Sequence, residues 1–322
     1  MLQRAALLLL VAFVTLLHLA ACGGGSAGQP TPGEHQPQKS GKLMLVATTP
    51  MVADVVRHVA GEHMDVVALI APGVDPHLWT PTRTDTLKVL EADAVFLNGL
   101  MLEGRAGDSF ARVEQMGRPV LRIAQTLDRK LLLTDPKRAS YFDPHVWMDP
   151  TLWGRTAAPV ADVLASLDPA HAAEYRANAK NYEAAAAKVD HDVELMIAAI
   201  PLDRRTLVSA HDAFSYFGRR FGLDVRGIQG ISTESEASIA DIESLVADIA
   251  QKKVPAVFIE TTVSERTVRA LVEGSASLGH ELKIGEPLFS DSLGRDGSAE
   301  STWEGMLRYN ARTISQSLGG SR

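Results

Sequence analysis

The feature that most limits the possible folds is a stretch of thirty residues without glycine or proline, from His171 to Ile200, which contains ten alanines. An uninterrupted alanine-rich segment favours one continuous α-helix, and thirty helical residues span about 45 Å. Its apolar stripe repeats at spacings of seven, then four and three, in Tyr175, Tyr182, Val189, Val193, Met196 and Ile200. Pro201 ends the pattern. A helix buried within one domain would also fit this stretch, but its surroundings favour a rod between two domains.

Strand-like and helix-like segments alternate on both sides of this stretch. Before it, apolar runs typical of strands lie at 43–48, 64–70, 94–97 and 120–123, with helical spacing at 51–60, 82–92 and 109–115. About twenty irregular residues follow, and then a helix at 149–166. After the long stretch, strands at 206–209, 223–227, 256–260 and 281–284 alternate with helices at 213–221, 238–251, 264–273 and 300–318. The pattern predicts an α/β fold of two lobes, each a parallel sheet flanked by helices, joined by one long rigid interdomain helix.

The first residues have the pattern of a secretory signal. Arg4 precedes an apolar run from Ala5 to Leu17, which is short for a membrane span. Residues 19–22 read Leu-Ala-Ala-Cys and resemble the bacterial lipobox, in which the cysteine is diacylated and becomes the mature N-terminus. We predict a lipoprotein signal peptide at 1–21 and a lipidated Cys22 that anchors the chain to a membrane. An ordinary secretory signal with an incidental cysteine is the alternative.

Composition divides the rest of the chain and excludes several classes. Residues 22–41, rich in Gly, Pro, Ser and Gln, predict a flexible tether. We expect an N-terminal lobe at 42–167, a linker helix at 168–201 and a C-terminal lobe at 202–322. The net charge of −7 argues against nucleic-acid binding. Because Cys22 is the only cysteine, the chain forms no internal disulfide and no cysteine-based metal site.

A repeated pentapeptide indicates where the chemistry lies. Residues 143–147 read Asp-Pro-His-Val-Trp and residues 75–79 read Asp-Pro-His-Leu-Trp, although the chain has only ten histidines and four tryptophans. Asp-Pro favours a stiff turn, so each copy presents one imidazole, His77 or His145, from a restrained loop. Two neutral imidazoles brought together are a typical metal site.

The second half offers two further candidate ligands. His211 stands at the end of a predicted strand, where ligands of parallel sheets gather, and Asp291 lies in the loop after the last strand. Three imidazoles and one carboxylate suit Zn²⁺ in a four-coordinate shell, while a bidentate carboxylate would make the site five-coordinate and compatible with Mn²⁺ or Fe²⁺. Position in the chain alone does not decide whether His211 is a metal ligand or a supporting group. By position alone, Asp291 would be an ordinary turn-forming residue. The unaccompanied histidines are expected to be surface or supporting groups, namely His58, His63, His171, His191 and His280.

The mature chain resembles the metal-binding solute-binding lipoproteins of bacterial ABC importers for zinc and manganese, the ZnuA/TroA/PsaA-like family (cluster A-I). The resemblance is carried by the lipobox, by both Asp-Pro-His loops and by residues 209–217, 230–236, 258–260 and 291–294, in the family's order. It implies that His77, His145, His211 and Asp291 are the metal ligands. It places Glu236 and Glu260 near the cleft, in supporting or structural roles.

The resemblance also implies the function. We expect that the chain is not an enzyme. We expect an extracytoplasmic, membrane-anchored, monomeric receptor that delivers metal to an ABC permease and its ATPase. His211 stands where manganese binders often carry Glu, which favours zinc over manganese, although residues 125–141 lack the histidines typical of many zinc-specific members. A zinc-dependent hydrolase and a surface adhesin are the alternatives, and Asp291 argues against the first because a fourth protein ligand closes the site.

Overall fold

The computed structural model describes residues 41–135 and 138–320, apart from the side chains of Arg105 and Asp108. These residues belong to one compact unit that begins at Ser40. The predicted signal peptide, the lipidated Cys22 and the tether up to Ser40 therefore lie outside the described residues. Within the described part, no helix has the length and apolar character needed to cross a membrane.

The first lobe is built on a parallel sheet whose strand order is β2-β1-β3-β4. Its strands are β1 (Leu43–Ala47), β2 (Met64–Ala68), β3 (Ala94–Leu97) and β4 (Val120–Arg122). The helices between them are α1 (Pro50–Ala60), α2 (Arg83–Glu91) and α3 (Gly107–Gln115). Thr49 begins α1 by accepting a hydrogen bond from the Val52 N–H, with proline at the first helical position. These strands and helices confirm the alternation predicted for the first half.

The segment before the second Asp-Pro-His loop is less irregular than predicted. It contains an antiparallel hairpin of β5 (Thr134–Asp135) and β6 (Arg138–Phe142). A two-residue strand is too short to show an alternation of apolar and polar residues, so the sequence gives no signal for it.

Three helices follow the hairpin, α4 (Pro150–Trp153), α5 (Ala157–Leu167) and α6 (Ala172–Ala198). A 3-10 turn at Gly154–Thr156 separates the first two, where one predicted helix was expected. A Cβ on Gly154 would lie 2.9 Å from the Ala186 Cβ, so α6 passes very close to this break.

The long helix α6 is confirmed, with 27 residues and a length of about 40 Å. A 3-10 turn that begins after Asp168, with Pro169 as its first residue, precedes α6. The Asp168 side chain does not cap the backbone of this turn, and its carboxylate accepts a hydrogen bond from the Tyr175 hydroxyl and lies beside the His171 ring. The buried stripe of α6 is Tyr175, Ala179, Tyr182, Ala186, Val189, Val193 and Ile197.

The second lobe repeats the architecture of the first, with a parallel sheet in the order β10-β9-β7-β8. Its strands are β7 (Thr206–His211), β8 (Asp224–Gln229), β9 (Ala256–Glu260) and β10 (Lys283–Leu288). Its helices are α7 (Ser215–Phe221), α8 (Ile239–Lys252), α9 (Arg266–Ser277) and α10 (Trp303–Ser317). Strand β10 ends four residues later than predicted because it accommodates Pro287, which an edge strand tolerates. The two-lobed fold joined by one long helix is therefore confirmed.

Candidate metal centre

Four side chains, two from each lobe, converge between the sheets. One ligand atom from each of His77, His145, His211 and Asp291 lies within 4.8 Å of all the others. His77 is 5 % exposed and the other three are 0 % exposed. The structure therefore brings together all four residues predicted as ligands, from loops and strand ends far apart in the chain. Their binding of a metal stays a prediction.

The two Asp-Pro-His loops hold their histidines by the same backbone device. The Asp75 Oδ1 accepts a hydrogen bond from the His77 N–H at 2.8 Å, and the Asp143 Oδ1 accepts one from the His145 N–H at 2.9 Å. The Asn98 side-chain amide also donates to the Pro144 carbonyl at 3.0 Å. Each imidazole is thus fixed by a turn that its own motif builds.

The second lobe holds its histidine by a neighbouring strand. His211 is the last residue of β7, and Glu260 is the last residue of β9, which pairs with β7. The Glu260 Oε1 accepts a hydrogen bond from the His211 N–H at 2.8 Å. Asp291 lies in the loop after β10.

The distances between the four side chains fit a shared cation. The Nε2 atoms of His145 and His211 lie 3.4 Å apart, and each lies 3.2 Å from an oxygen of Asp291. The His77 Nε2 lies 3.4 Å from that of His145 and 3.6 Å from Asp291. Ligands at zinc-bond lengths on the corners of a tetrahedron are about 3.3 Å apart. The buried Asp291 carboxylate thus faces one Nε2 atom from each of three imidazoles, an arrangement that suits ion pairs with protonated rings or a shared metal ion.

Two of the three imidazoles have a carboxylate behind them. The Asp143 Oδ1 lies 2.7 Å from the His145 Nδ1, and the Glu260 Oε2 lies 2.5 Å from the His211 Nδ1. A carboxylate at Nδ1 keeps the proton there and directs the Nε2 lone pair towards a metal. The His77 Nδ1 has no such partner in the described part of the chain.

These surroundings set the charge of the centre. Burial lowers the pKa of His145, but Asp143 and Asp291 raise it more, to about 9. Burial also lowers the pKa of His211, but the Glu260 and Asp291 carboxylates outweigh it and hold that pKa well above its usual range. Burial lowers the pKa of His77 to about 3.

As a result, the Asp291 carboxylate is negatively charged and lies among one neutral histidine and two protonated histidines. Burial raises the pKa of Asp291, but His211 and His145 outweigh it and hold that pKa well below its usual value. In the metal-free centre, His77 is neutral, whereas His145 and His211 hold protons that a metal must displace.

Hydrogen bonds across the cleft surround the centre. The Trp147 indole N–H donates to the Ser290 carbonyl at 2.8 Å, and the Gly73 N–H donates to the Ser292 hydroxyl at 2.7 Å. The Thr233 hydroxyl donates to the Asp75 Oδ2 at 2.6 Å. Both Asp-Pro-His loops are thus attached to the opposite lobe.

Sequence reasoning missed the role of Asp143, although the Asp-Pro-His spacing contained it. An aspartate two residues before a histidine can reach both the backbone N–H and the ring of that histidine, as it does here. Glu260 came only from the resemblance, and its contact with His211 follows the pairing of β9 with β7. Glu236 is exposed and accepts a hydrogen bond from the Gln229 amide at 3.3 Å.

The unassigned histidines of the described residues lie outside this group. His63 and His171 stack with ring centroids 3.8 Å apart, and each contacts a carboxylate, Glu174 or Asp168. His58 and His280 each contact a backbone carbonyl. These contacts are consistent with the supporting roles expected of them.

Comparison with known proteins places these features in a family. The model of the family described as "ZnuA: Zinc-uptake complex component A periplasmic" matches residues 45–317. The manganese-binding lipoprotein MntA of Bacillus subtilis is 37 % identical over 98 % of this chain and 100 % of its own. The zinc-binding protein TroA of Treponema pallidum is 38 % identical over 89 % of this chain and 92 % of its own. A solved structure of the Treponema pallidum periplasmic zinc-binding protein TroA has a TM-score of 0.83, covers 86 % of this chain and 99 % of its own, and is 39 % identical to it.

Proposed function

Because the chain belongs to the family of zinc-uptake complex component A proteins, we propose that it is the metal-binding receptor of an ABC importer. It captures a divalent metal ion between its lobes and delivers the ion to a membrane permease driven by an ATPase. The observation that carries this proposal is the convergence of the buried Asp291 carboxylate with three buried imidazole nitrogens, two ligands coming from each lobe.

The transported metal that this donor set favours is zinc. Three imidazole nitrogens and one carboxylate are intermediate in softness and complete a tetrahedral shell, the geometry that Zn²⁺ prefers. Manganese is the alternative, since one similar relative is a manganese-binding lipoprotein and another a zinc-binding protein. Bidentate binding by Asp291 would raise the coordination number and favour manganese.

A transport role accounts for the centre better than catalysis. Catalytic zinc sites keep a position for water, whereas four protein ligands occupy all four tetrahedral positions here. The same closure supports high affinity without reactivity. A zinc-dependent hydrolase would need one of the four, such as Asp291, to leave the metal. A role as a surface adhesin has no structural feature of its own among the described residues.

The proposal includes the place of the protein in the cell. We propose export by a signal peptide at 1–21 and anchoring on the outer side of a membrane through a lipidated Cys22. The lobes are proposed to comprise 42–167 and 202–322, with 168–201 as the linker, and the receptor is proposed to act as a monomer.

The test starts from protein isolated from its own cell envelope, with its metal content measured by elemental analysis. We expect one zinc ion per chain, and a His145→Ala variant should lose it. His191 is exposed on α6 and away from the centre, so His191→Ala is the matched control and should bind normally. Unchanged stoichiometry and affinity in His145→Ala would show that the site is assigned wrongly.

Growth of a deletion strain separates the transport role from the alternatives. We expect the strain to fail in metal-limited medium and to recover when the metal is supplied in excess. Loss of attachment with normal growth would favour an adhesin. Metal-dependent hydrolysis of a simple ester that disappears in His145→Ala would favour a hydrolase.

A further inference from the structure

Glu103 is a buried carboxylate of the first lobe that is not among the four candidate ligands. It is 4 % exposed and lies in the loop after β3. Its Oε1 accepts hydrogen bonds from the Thr48 hydroxyl at 2.6 Å and the Asn98 N–H at 2.8 Å, and its Oε2 accepts one from the Gly99 N–H at 3.1 Å. Thr48 directly follows β1 and Asn98 directly follows β3. The carboxylate therefore joins two strands at their carboxyl ends, the edge of the sheet at which the metal centre lies.

The hydrogen bonds of Glu103 lead into a turn with a left-handed backbone. Gly99, Leu100 and Met101 have φ angles of 82°, 54° and 69°. Residues with a Cβ atom rarely adopt this conformation, because the Cβ then approaches the following carbonyl oxygen. Such a turn persists only where the surrounding contacts enforce it. The N–H groups of Asn98 and Gly99 stand at the start of this turn, so their bonds to Glu103 help to fix its conformation.

Asn98 connects this turn to the loop of His145. Its side-chain amide donates hydrogen bonds to the Pro144 carbonyl at 3.0 Å and the Gly99 carbonyl at 3.2 Å. Both partners are acceptors, so the amide nitrogen must face them. The amide oxygen then has no hydrogen-bond partner among the described residues, although Asn98 is fully buried. An unpartnered buried oxygen is unfavourable, which makes this orientation of the amide dependent on the backbone that presents it.

The peptide group between Pro144 and His145 is held at both ends. Its carbonyl accepts the hydrogen bond from Asn98, and its N–H donates to the Asp143 Oδ1 at 2.9 Å. A peptide group is planar, so fixing both ends fixes the plane from which the His145 side chain departs. Loss of the bond to the carbonyl would leave this plane free to rotate about the backbone bonds on either side.

We propose that Glu103 is a positioning residue for metal binding, which places the His145 imidazole through the Asn98 amide and the Pro144 carbonyl. This inference rests on the proposed function and deepens it, since it extends the centre to a carboxylate that is itself no ligand. The three hydrogen bonds of Glu103 come from one hydroxyl and two N–H groups, so both of its oxygens serve as acceptors. A glutamine in its place would set an N–H group against one of these donors.

The test compares two carboxylates that tie β1 to the region of β3 at opposite ends of the sheet. The Asp93 Oδ2, just before β3, accepts a hydrogen bond from the Met44 N–H of β1 at 2.8 Å, at the edge away from the metal centre. Glu103→Gln and Asp93→Asn should both lower the melting temperature of the metal-free protein. We expect only Glu103→Gln to raise the Kd for Zn²⁺, about threefold to tenfold, as measured by competition with a chromophoric chelator.

The visible absorption of bound Co²⁺ gives a second measurement, because it depends on the arrangement of the ligands around the ion. The metal-free proteins are loaded with Co²⁺ alone, and their spectra are compared. We expect Glu103→Gln to shift the absorption bands and Asp93→Asn to leave them unchanged, since only the first substitution moves a ligand.

A double-mutant comparison separates positioning from stability. Asn98→Ala keeps the backbone N–H that binds Glu103 but removes the amide that holds the Pro144 carbonyl. Adding Glu103→Gln to Asn98→Ala should therefore lower the melting temperature further, yet change the Kd for Zn²⁺ by less than twofold.

Thr48→Val provides a milder change if Glu103→Gln does not fold. It removes the hydroxyl that donates to Glu103 and nearly keeps the shape of the side chain. We expect a rise in the Kd for Zn²⁺ of about twofold to threefold, which also disappears in the Asn98→Ala background. An unchanged Kd in Thr48→Val would count against the inference.

Two results with Glu103→Gln would overturn the inference. Unchanged Zn²⁺ affinity and an unchanged Co²⁺ spectrum would show that this carboxylate only stabilises the fold. An equal rise in Kd with and without the Asn98 amide would show that Glu103 does not act through that amide. Failure of the wild-type protein to bind Zn²⁺ at all would instead refute the proposed function, so the two failures are distinguishable.

Discussion

The Trp147 indole donates its N–H to the Ser290 carbonyl at 2.8 Å, across the cleft between the two lobes. Trp147 stands two residues after His145, and Ser290 directly precedes Asp291. The bond therefore ties a ligand-bearing loop of one lobe to a ligand-bearing loop of the other. The Trp303 indole donates in turn to the Trp147 carbonyl at 2.9 Å, which fixes the backbone of the first loop. These two hydrogen bonds help to set the relative position of His145 and Asp291.

Replacing Trp147 by phenylalanine should weaken metal binding and stability together. The variant keeps an aromatic side chain but leaves the buried Ser290 carbonyl without its donor, at a cost of about 1–3 kcal/mol. We expect the metal Kd to rise about tenfold, as for other changes in the groups that orient ligands. Trp153→Phe is the matched control, since Trp153 donates to the Tyr182 hydroxyl away from the centre. It should lower the melting temperature and leave the Kd unchanged, and an equal loss of affinity in both variants would refute a specific role for Trp147.

An Asp143→Asn substitution should weaken binding through the imidazole of His145. An amide presents an N–H to Nδ1 as readily as an oxygen, and the ring can then place its proton on Nε2, where the metal should bind. We expect the Kd for the metal to increase about 10- to 100-fold, as measured by competition with a chromophoric chelator. Asp168 faces His171 at 2.6 Å on the surface and supplies the control, Asp168→Asn. If both substitutions leave the Kd unchanged, the carboxylate does not orient the ligand.

Metal binding should release protons and weaken in acid. The pKa of His145 is raised to about 9 and that of His211 is raised as well, so both rings hold protons at neutral pH in the metal-free protein. A metal must displace these protons, and the affinity therefore rises with pH while these rings lose their protons, a range that reaches about pH 9 for His145. His77, whose pKa is lowered to about 3, contributes no proton in this range.

Calorimetry in buffers of different ionisation enthalpy counts the protons released. We expect about two per metal at pH 7, one from each histidine whose pKa is raised. Asp143→Asn should reduce the number, because His145 then loses the carboxylate that raises its pKa. A count of zero in the wild-type protein would mean that the metal-free centre is already deprotonated.

A Gly227→Ala substitution should disturb the metal centre by displacing the backbone next to His211. A Cβ at this position in β8 would lie 2.5 Å from the backbone nitrogen of Asp212, the residue after His211. We expect a loss of about 1–3 kcal/mol in the free energy of unfolding, typical of overpacking, and a weaker metal affinity. Gly230→Ala is the control, because a Cβ there meets no atom within 4 Å. Chemical denaturation and metal titration of both variants test this, and equal effects would contradict the steric argument.

Much of the fold could be predicted because buried parallel strands are continuous apolar runs. Strands β1 and β9, for example, read Leu-Met-Leu-Val-Ala and Ala-Val-Phe-Ile-Glu. The hairpin of β5 and β6 could not be predicted, since a two-residue strand has no periodicity. The end of β10 was obscured by Gly285 and Pro287, residues that a strand tolerates only in particular surroundings. A Cβ on Gly285 would lie 2.6 Å from the Phe258 ring, a close approach that no local pattern reveals.

The candidate centre could be predicted only in part from the residues themselves. The repeated Asp-Pro-His motif indicated His77 and His145 because repetition of rare residues is a signal within one sequence. Asp291 depended on the resemblance to a family, since an aspartate in a loop is normally a turn former. The contact between Glu260 and His211 had no local signal in the sequence, because it depends on the pairing of β9 with β7.

The buried stripe of α6 has a consequence for how the protein melts. Its side chains lie in one hydrophobic cluster that also contains Leu45 from the first sheet and Leu207 and Phe258 from the second. Neither half can therefore expose its side of the helix without disrupting the packing of the other. The two lobes are expected to unfold as one cooperative unit, with a single calorimetric transition. For the same reason, neither half expressed alone should be a stable protein. A substitution that destabilises one lobe should lower the stability of the other lobe as well.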